Sequence, residues 1–344
     1  MKITSRRGVK KTKKSHDLNK NQKHYKWLIL FGLLIAALYF YQDSLHEIME
    51  GIKALSAVQM GVSLLLSSVF FLTEGCIVYC MAHLFENSYR WRKGIRTAYV
   101  CEFYRMLTLG SGAGFAEIYY LQKDNVPYPR GTGMTMLQFV IEKIAVMLLG
   151  LAGFLFLLGR DSTSNVLHGY GGAMGAGCII TFVIVFAMTA VTLSKTVRDW
   201  LLPVLDKLEL KFPKYQEKIQ KWREDLKLLN DTGRELFARK KCFLQVILLN
   251  LCKLLAVYLI PAYVLYGQCP LSIMESTMLM AVIYMLAGVI PAPSGIGSLE
   301  FVFLLFFSRF VSEAAAVPAI LVFRFVTWIV PFLVGGIIFL HHQK

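Results

Sequence analysis

The sequence predicts an all-α polytopic membrane protein with about six full spans and two broken or re-entrant helical hairpins in an inverted repeat. Three observations predict it. Of 344 residues, 56% are hydrophobic and only 17% charged, and the mean hydropathy is +0.53. Apolar runs approaching or exceeding the roughly 20 residues that cross a bilayer recur between residues 27 and 340. The stretch SGAGFAE at 111–117 returns 183 positions later as SGIGSLE at 294–300, each time among apolar residues. No segment alternates with the period of a transmembrane strand.

Charge orders these elements. The formal net charge of +15 is concentrated in a basic tail, residues 1–26, which holds ten lysines and arginines against Asp17 alone. Such a tail stays in the cytoplasm and suits contact with anionic lipid. It has no recognition module beside it, so nucleic acid is not an expected partner. A first span at about 27–41 leads to an outer loop bearing Asp43, Glu47 and Glu50. A second, at about 60–84, returns to Arg90, Arg92, Lys93 and Arg96. Residues 195–241, with thirteen basic and eight acidic side chains, form a cytoplasmic loop patterned for amphipathic helices at the membrane surface.

Between these two inner segments the chain must cross an even number of times, yet it holds three apolar stretches. Those at 133–159 and 170–194 are long enough to span. The one at 97–122 is cut by GSGAG into pieces too short to cross, which predicts a hairpin entering and leaving on one side. The first membrane half is therefore 27–194. The second, 242–344, repeats the plan: a span at 242–266, a broken stretch at 274–308 interrupted by PAPSGIG, and a last span at 315–340. Both ends of the chain fall on the cytoplasmic side.

Inverted repeats with broken helices at mid-membrane are a transporter layout. Irregular backbone is tolerated at that depth only where protein buries it or water reaches it. A helix restarting there points N–H groups and partial positive charge inward, toward a guest such as a lipid phosphate. Ser111, Gly112 and Gly114 in the first loop, and Pro291, Pro293, Ser294, Gly295 and Gly297 in the second, are the candidate backbone of two half-sites. Glycines alone would favour tight helix packing through small residues. The repeated terminal carboxylates, Glu117 and Glu300, favour function.

The apolar segments also contain Glu74, Glu102 and Glu142 against Arg105, Lys143, Lys253 and Arg324. Each would cost about 2.5–3.5 kcal/mol unpaired at the bilayer centre, so paired networks around a wet cavity are expected. Glu102 and Arg105 are spaced to pair on one helix, and Asn250 shares a face with Lys253. Glu142 and Lys143 point apart and need other partners. Together with Glu117 and Glu300, Glu142, Lys143 and Arg324 complete the candidate substrate-binding set. The seven cysteines form no C-x-x-C pair, and no metal or cofactor is implied.

The segments RMLTLGSGAGFAEIYYLQ, FVIEKIAVMLLG and IPAPSGIGSLEFVFLL, with VFRFVTWIVPFLVGG, resemble the lysylphosphatidylglycerol synthase transmembrane-region family over about residues 27–340. That family includes the flippase half of bacterial multiple-peptide-resistance proteins and stand-alone relatives. Its most specific marks here are Pro291, Pro293, Gly295, Gly297 and Glu300, then Arg324. Family members often carry a proline in the first loop where Thr108 and Leu109 stand, and Asp-Arg where Glu142 and Lys143 stand.

The resemblance implies a bacterial plasma-membrane protein that moves lysyl-phosphatidylglycerol, another anionic phospholipid or a polyprenyl-linked lipid between leaflets. Only HHQK follows the last span, where full-length synthases add a soluble aminoacyl-transfer domain. A phosphatidylglycerol lysyltransferase is thus the enzymatic alternative, acting with a catalytic domain outside this chain. A non-transporting partner of such a synthase, docking through 195–241, is the third reading.

Overall fold

The computed structural model describes residues 55–108, 110–211, 215–292 and 295–342. The basic tail and the expected first span lie outside them, as do Pro293 and Ser294. The described chain is helical throughout, without a strand. In order it forms α1 (Ala57–Ala82), α2 (Trp91–Leu107), α3 (Gly112–Lys123), α4 (Tyr128–Leu158) and α5 (Asp161–Leu193). Then come α6 (Lys195–Lys211), α7 (Gln216–Ala238), α8 (Lys240–Val264), α9 (Ile273–Ala287) and α10 (Ser298–Phe307). The chain ends with α11 (Glu313–Arg324), a π-helical turn (Phe325–Ile329) and α12 (Val330–His341).

Among the described residues, five stretches are long and apolar enough to cross a membrane: α1, α4, the Gly175–Leu193 part of α5, α8, and α11 through α12 taken together. They match the spans expected at 60–84, 133–159, 170–194, 242–266 and 315–340. Their outer faces are apolar. On α1 the exposed positions Val58, Leu65, Val69 and Leu72 follow one helical stripe, and α5 exposes Ile179, Phe182, Val183 and Phe186. Stripes of this size are a liability in water and the normal surface of a helix in lipid.

The two broken stretches are helical hairpins. Their arms, α2 with α3 and α9 with α10, pack against each other. At 1.5 Å per residue α3 is about 18 Å long and α10 about 15 Å, well short of the roughly 30 Å hydrocarbon core. The first break differs in detail from the sequence expectation. It falls at 108–111, and Gly112 and Gly114 already belong to α3. Thr108 explains the shift: its hydroxyl donates to the Tyr104 carbonyl and accepts from the Gly112 N–H at 2.6 Å, closing α2 and starting α3 within four residues.

Packing follows the repeat. The helix before each hairpin, α1 or α8, packs on that hairpin's first arm, and α1 and α8 pack on each other. The helical stretch after each hairpin crosses to the other half: α4 lies on α9, and α12 lies on α2. Glycine permits both crossings. A side chain at Gly153 of α4 would strike the Met278 carbonyl of α9, and one at Gly335 of α12 would strike the Tyr99 carbonyl of α2.

The cytoplasmic pair expected at 195–241 forms α6 and α7, which pack on each other, with α7 also held against α4 and α5. Buried Asn230 donates to the carbonyls of Val191, Thr192 and Ser194, satisfying the end of α5. Arg130 on α4 pairs with Glu235.

Candidate functional site

The second break is knotted by its own carboxylate. Gly295 and Gly297 have φ of 71° and 84°, a region that side-chain-bearing residues rarely adopt. Gly297 precedes α10, and its N–H donates to Glu300 Oε2 at 2.9 Å, so Glu300 caps the helix that carries it. Arg324, at the end of α11, donates from Nε to Glu300 Oε1 at 2.6 Å and from Nη2 to Oε2 at 2.9 Å. The same Nη2 donates to the Gly295 carbonyl at 2.9 Å. One guanidinium thus fixes both the carboxylate and the loop, as its rigid fork suits.

The π-helical turn after Arg324 completes this arrangement. It sets the Trp328 ring 4.0 Å from the guanidinium carbon, within cation–π range. In a π-turn the Val326 carbonyl would accept from residue 331, but that residue is proline and has no N–H. Ser67 of α1 supplies the missing donor, with its hydroxyl 2.6 Å from that oxygen. The second half-site is therefore anchored to the first half of the chain.

A second ion group is centred on Lys253 of α8. Its ammonium is buried, with 1% of the side chain exposed, and lies 2.5 Å from Glu74 of α1 and 2.9 Å from Glu142 of α4. The two carboxylates keep 22% and 37% of their side-chain surface. Phe70 places its ring 5.5 Å from the same nitrogen. One turn away on α8, Asn250 exchanges hydrogen bonds with Gln138 of α4. Glu102 and Arg105 pair along α2 at 3.2 Å, as their spacing predicts.

Glu117, on α3, is arranged differently. No cation lies within ion-pair distance of it among the described residues; Thr135 of α4 is near it, with its hydroxyl donating to the Gly131 carbonyl at 3.1 Å. Glu74, Lys253 and Arg105 are within electrostatic reach. Glu102 similarly feels Arg105, Glu74, Arg324 and Glu142, so the ion groups form one cluster that links both halves. Tyr284 is within electrostatic reach of Arg324, Glu142, Arg105 and Glu300, with its ring 4.9 Å from that of Tyr258. The buried Tyr258 hydroxyl has no partner among the described residues.

The sequence-predicted site residues divide accordingly. Glu117, Glu142, Glu300 and Arg324 enter the cluster, and Gly295 and Gly297 hold its second loop. Ser111 donates to the Thr108 carbonyl, Gly112 is held by the Thr108 hydroxyl, and Gly114 faces the Thr135 methyl. Lys143 lies over the Phe139 ring at 5.3 Å, apart from the ion pairs, and Pro291 is exposed. Pro293 and Ser294 are outside the described residues. The sequence set lacked Lys253, Glu74, Thr108, Thr135 and Trp328. For the first two the signal was present, since a charge inside an apolar run needs a partner.

Two surface clefts, of about 680 and 580 Å³, lie elsewhere. One is lined by residues including His83, Arg90 and Arg92, the other by Arg130, Thr232 and Glu235. The family model described as lysylphosphatidylglycerol synthase TM region matches residues 27–335. The chain belongs to this family. No individually curated protein is significantly similar to it. As a lysylphosphatidylglycerol synthase transmembrane region, it is a membrane domain whose match runs from the expected first span into α12, covering both hairpins and every member of the charge cluster.

Proposed function

We propose that the chain is a flippase-like transporter of the cell membrane, moving a lipid with an aminoacylated head between leaflets. One observation carries this reading: two broken hairpins each present a carboxylate to a shared cluster that is richer in acids than in bases. Glu74, Glu102, Glu117, Glu142 and Glu300 face Arg105, Lys253 and Arg324, with Lys143 alongside. Pairing Glu102 with Arg105, Glu300 with Arg324, and Lys253 with Glu74 and Glu142, the latter also within electrostatic reach of Lys143, leaves Glu117 as the carboxylate without a cation. An ammonium-bearing head supplies it.

A bare phosphate is the weaker guest. The first-turn N–H groups that would receive it are partly taken, by Thr108 at α3 and by Glu300 at α10. In this reading the lipid tails remain in the bilayer while the head passes along the cluster. The termini and the α6–α7 pair lie on the cytoplasmic side, where a synthase can deliver the lipid.

The test is translocation in liposomes containing the purified chain, comparing lysyl-phosphatidylglycerol, phosphatidylglycerol and a polyprenyl phosphate. Selective movement of the lysyl lipid is expected. Equal movement of all three, or none by folded protein, contradicts the reading.

A further inference from the structure

The two repeated carboxylates are not equivalent, and the difference points to what drives the site. Glu300 is fully occupied: two nitrogens of Arg324 and the Gly297 N–H meet its oxygens. Its counterpart Glu117, half-buried, makes no ion pair among the described residues, and Thr135 of α4 is near it. The equivalent of Arg324 does not arise in the first half. Counting 24 residues on from Glu117 reaches Ile141; Glu142 next to it is held by Lys253, and Lys143 turns to Phe139.

Groups from several elements lie within electrostatic reach of Glu117. On α2 they are Cys101 and Arg105, on α4 Thr135, on α1 Glu74, on α8 Lys253, and from the turn before α2 Tyr89. Both cations are already committed, Arg105 to Glu102 and Lys253 to Glu74 and Glu142. Glu117 can be neutralised by a cation that arrives with a substrate or by a proton, and a carboxylate at membrane depth is costly without either.

We propose that Glu117 is a proton-exchange site at which a proton and the ammonium group of the lipid head compete, so that the head's arrival releases a proton and its departure recovers one. This rests on the transport reading above. The chemistry is one O–H bond. As the ammonium settles against the carboxylate, the proton on Glu117 leaves to water. As the ammonium departs, water returns a proton to the same oxygen. Glu300, locked to Arg324, keeps its charge throughout and supplies structure. Thr135, whose hydroxyl donates to the Gly131 carbonyl at 3.1 Å, keeps a lone pair that can accept from the protonated Glu117 carboxyl and so favours that state.

Infrared difference spectroscopy on the full chain in lipid vesicles, stepped through pH, reads this directly. Wild type should show a protonated-carboxyl band that titrates. Glu117→Gln should lose it, Glu300→Gln should keep it, and Thr135→Val should keep it with a shifted midpoint. The last variant covers the case in which Glu117→Gln fails to fold. Adding lysyl-phosphatidylglycerol, but not phosphatidylglycerol, should discharge the band and release about one proton per lipid bound. A band that persists in folded Glu117→Gln, or one that the lysyl lipid leaves unchanged, overturns the proposal. Translocation in the same vesicles separates the two claims. Lipid movement without proton release refutes only the exchange, whereas proton release without lipid movement refutes only the transport.

Discussion

Arg324 grips Glu300 through two nitrogens, at 2.6 and 2.9 Å, across 24 residues of sequence and from a different helix. The side chains are 12% and 27% exposed, so the pair is largely out of water. Removing one partner of such a pair strands the other and costs about 3–5 kcal/mol, whereas removing both costs much less. Arg324→Gln should therefore lower the thermal midpoint of the purified protein strongly. The double variant with Glu300→Gln should recover most of the loss. Equal destabilisation by the single and double variants would show that the pair is not coupled.

Lys253 serves two carboxylates at once, and its removal leaves Glu74 and Glu142 facing each other beside a buried gap. Lys253→Met is expected to destabilise by at least as much as loss of Arg324, about 3–5 kcal/mol. Adding Glu74→Gln and Glu142→Gln to it should restore folding. Size-exclusion profiles after stepwise heating will rank the variants. A Lys253→Met protein as heat-resistant as wild type contradicts the arrangement.

Gly335 lets α12 lie directly on the α2 backbone at Tyr99. A leucine there must push the helices apart, at about 1–3 kcal/mol or more. By contrast Gly61→Ala, where nothing lies within 4 Å of the added carbon, should be neutral. Comparing the yield of monodisperse protein tests the crossing between halves; equal yields would place α12 elsewhere.

Tyr258 has a buried hydroxyl without a partner among the described residues. If that oxygen serves only the fold, Tyr258→Phe should hold stability within about 1 kcal/mol or raise it. Its ring lies 4.9 Å from that of Tyr284, which is within electrostatic reach of the charge cluster, so in the transport reading translocation should fall several-fold while the thermal midpoint stays. Wild-type translocation in this variant would remove Tyr258 from the site.

Much of this fold is legible in the sequence because lipid imposes strict rules. Run length marks α1, α4 and α8, and glycine marks the two breaks, with proline at the second. The spacing of Glu102 and Arg105 gives their pair outright. What remained hidden depends on side-chain geometry between distant segments. Lys253 meets Glu74 from 179 residues away, and nothing in a local window selects it over Arg105 or Lys143. The first break moved to 108–111 because the Thr108 hydroxyl caps α3, a role that glycine content does not reveal. The π-turn after Arg324 follows from Pro331 only once Ser67 is known to stand opposite.

The central claim is that Glu117 acts in transport while Glu300 holds the structure. Lysyl-phosphatidylglycerol translocation by Glu117→Gln in liposomes, with its thermal midpoint measured beside wild type, tests it most directly. A wild-type midpoint with translocation reduced at least tenfold is expected. A folded Glu117→Gln protein that moves the lipid at the wild-type rate contradicts it.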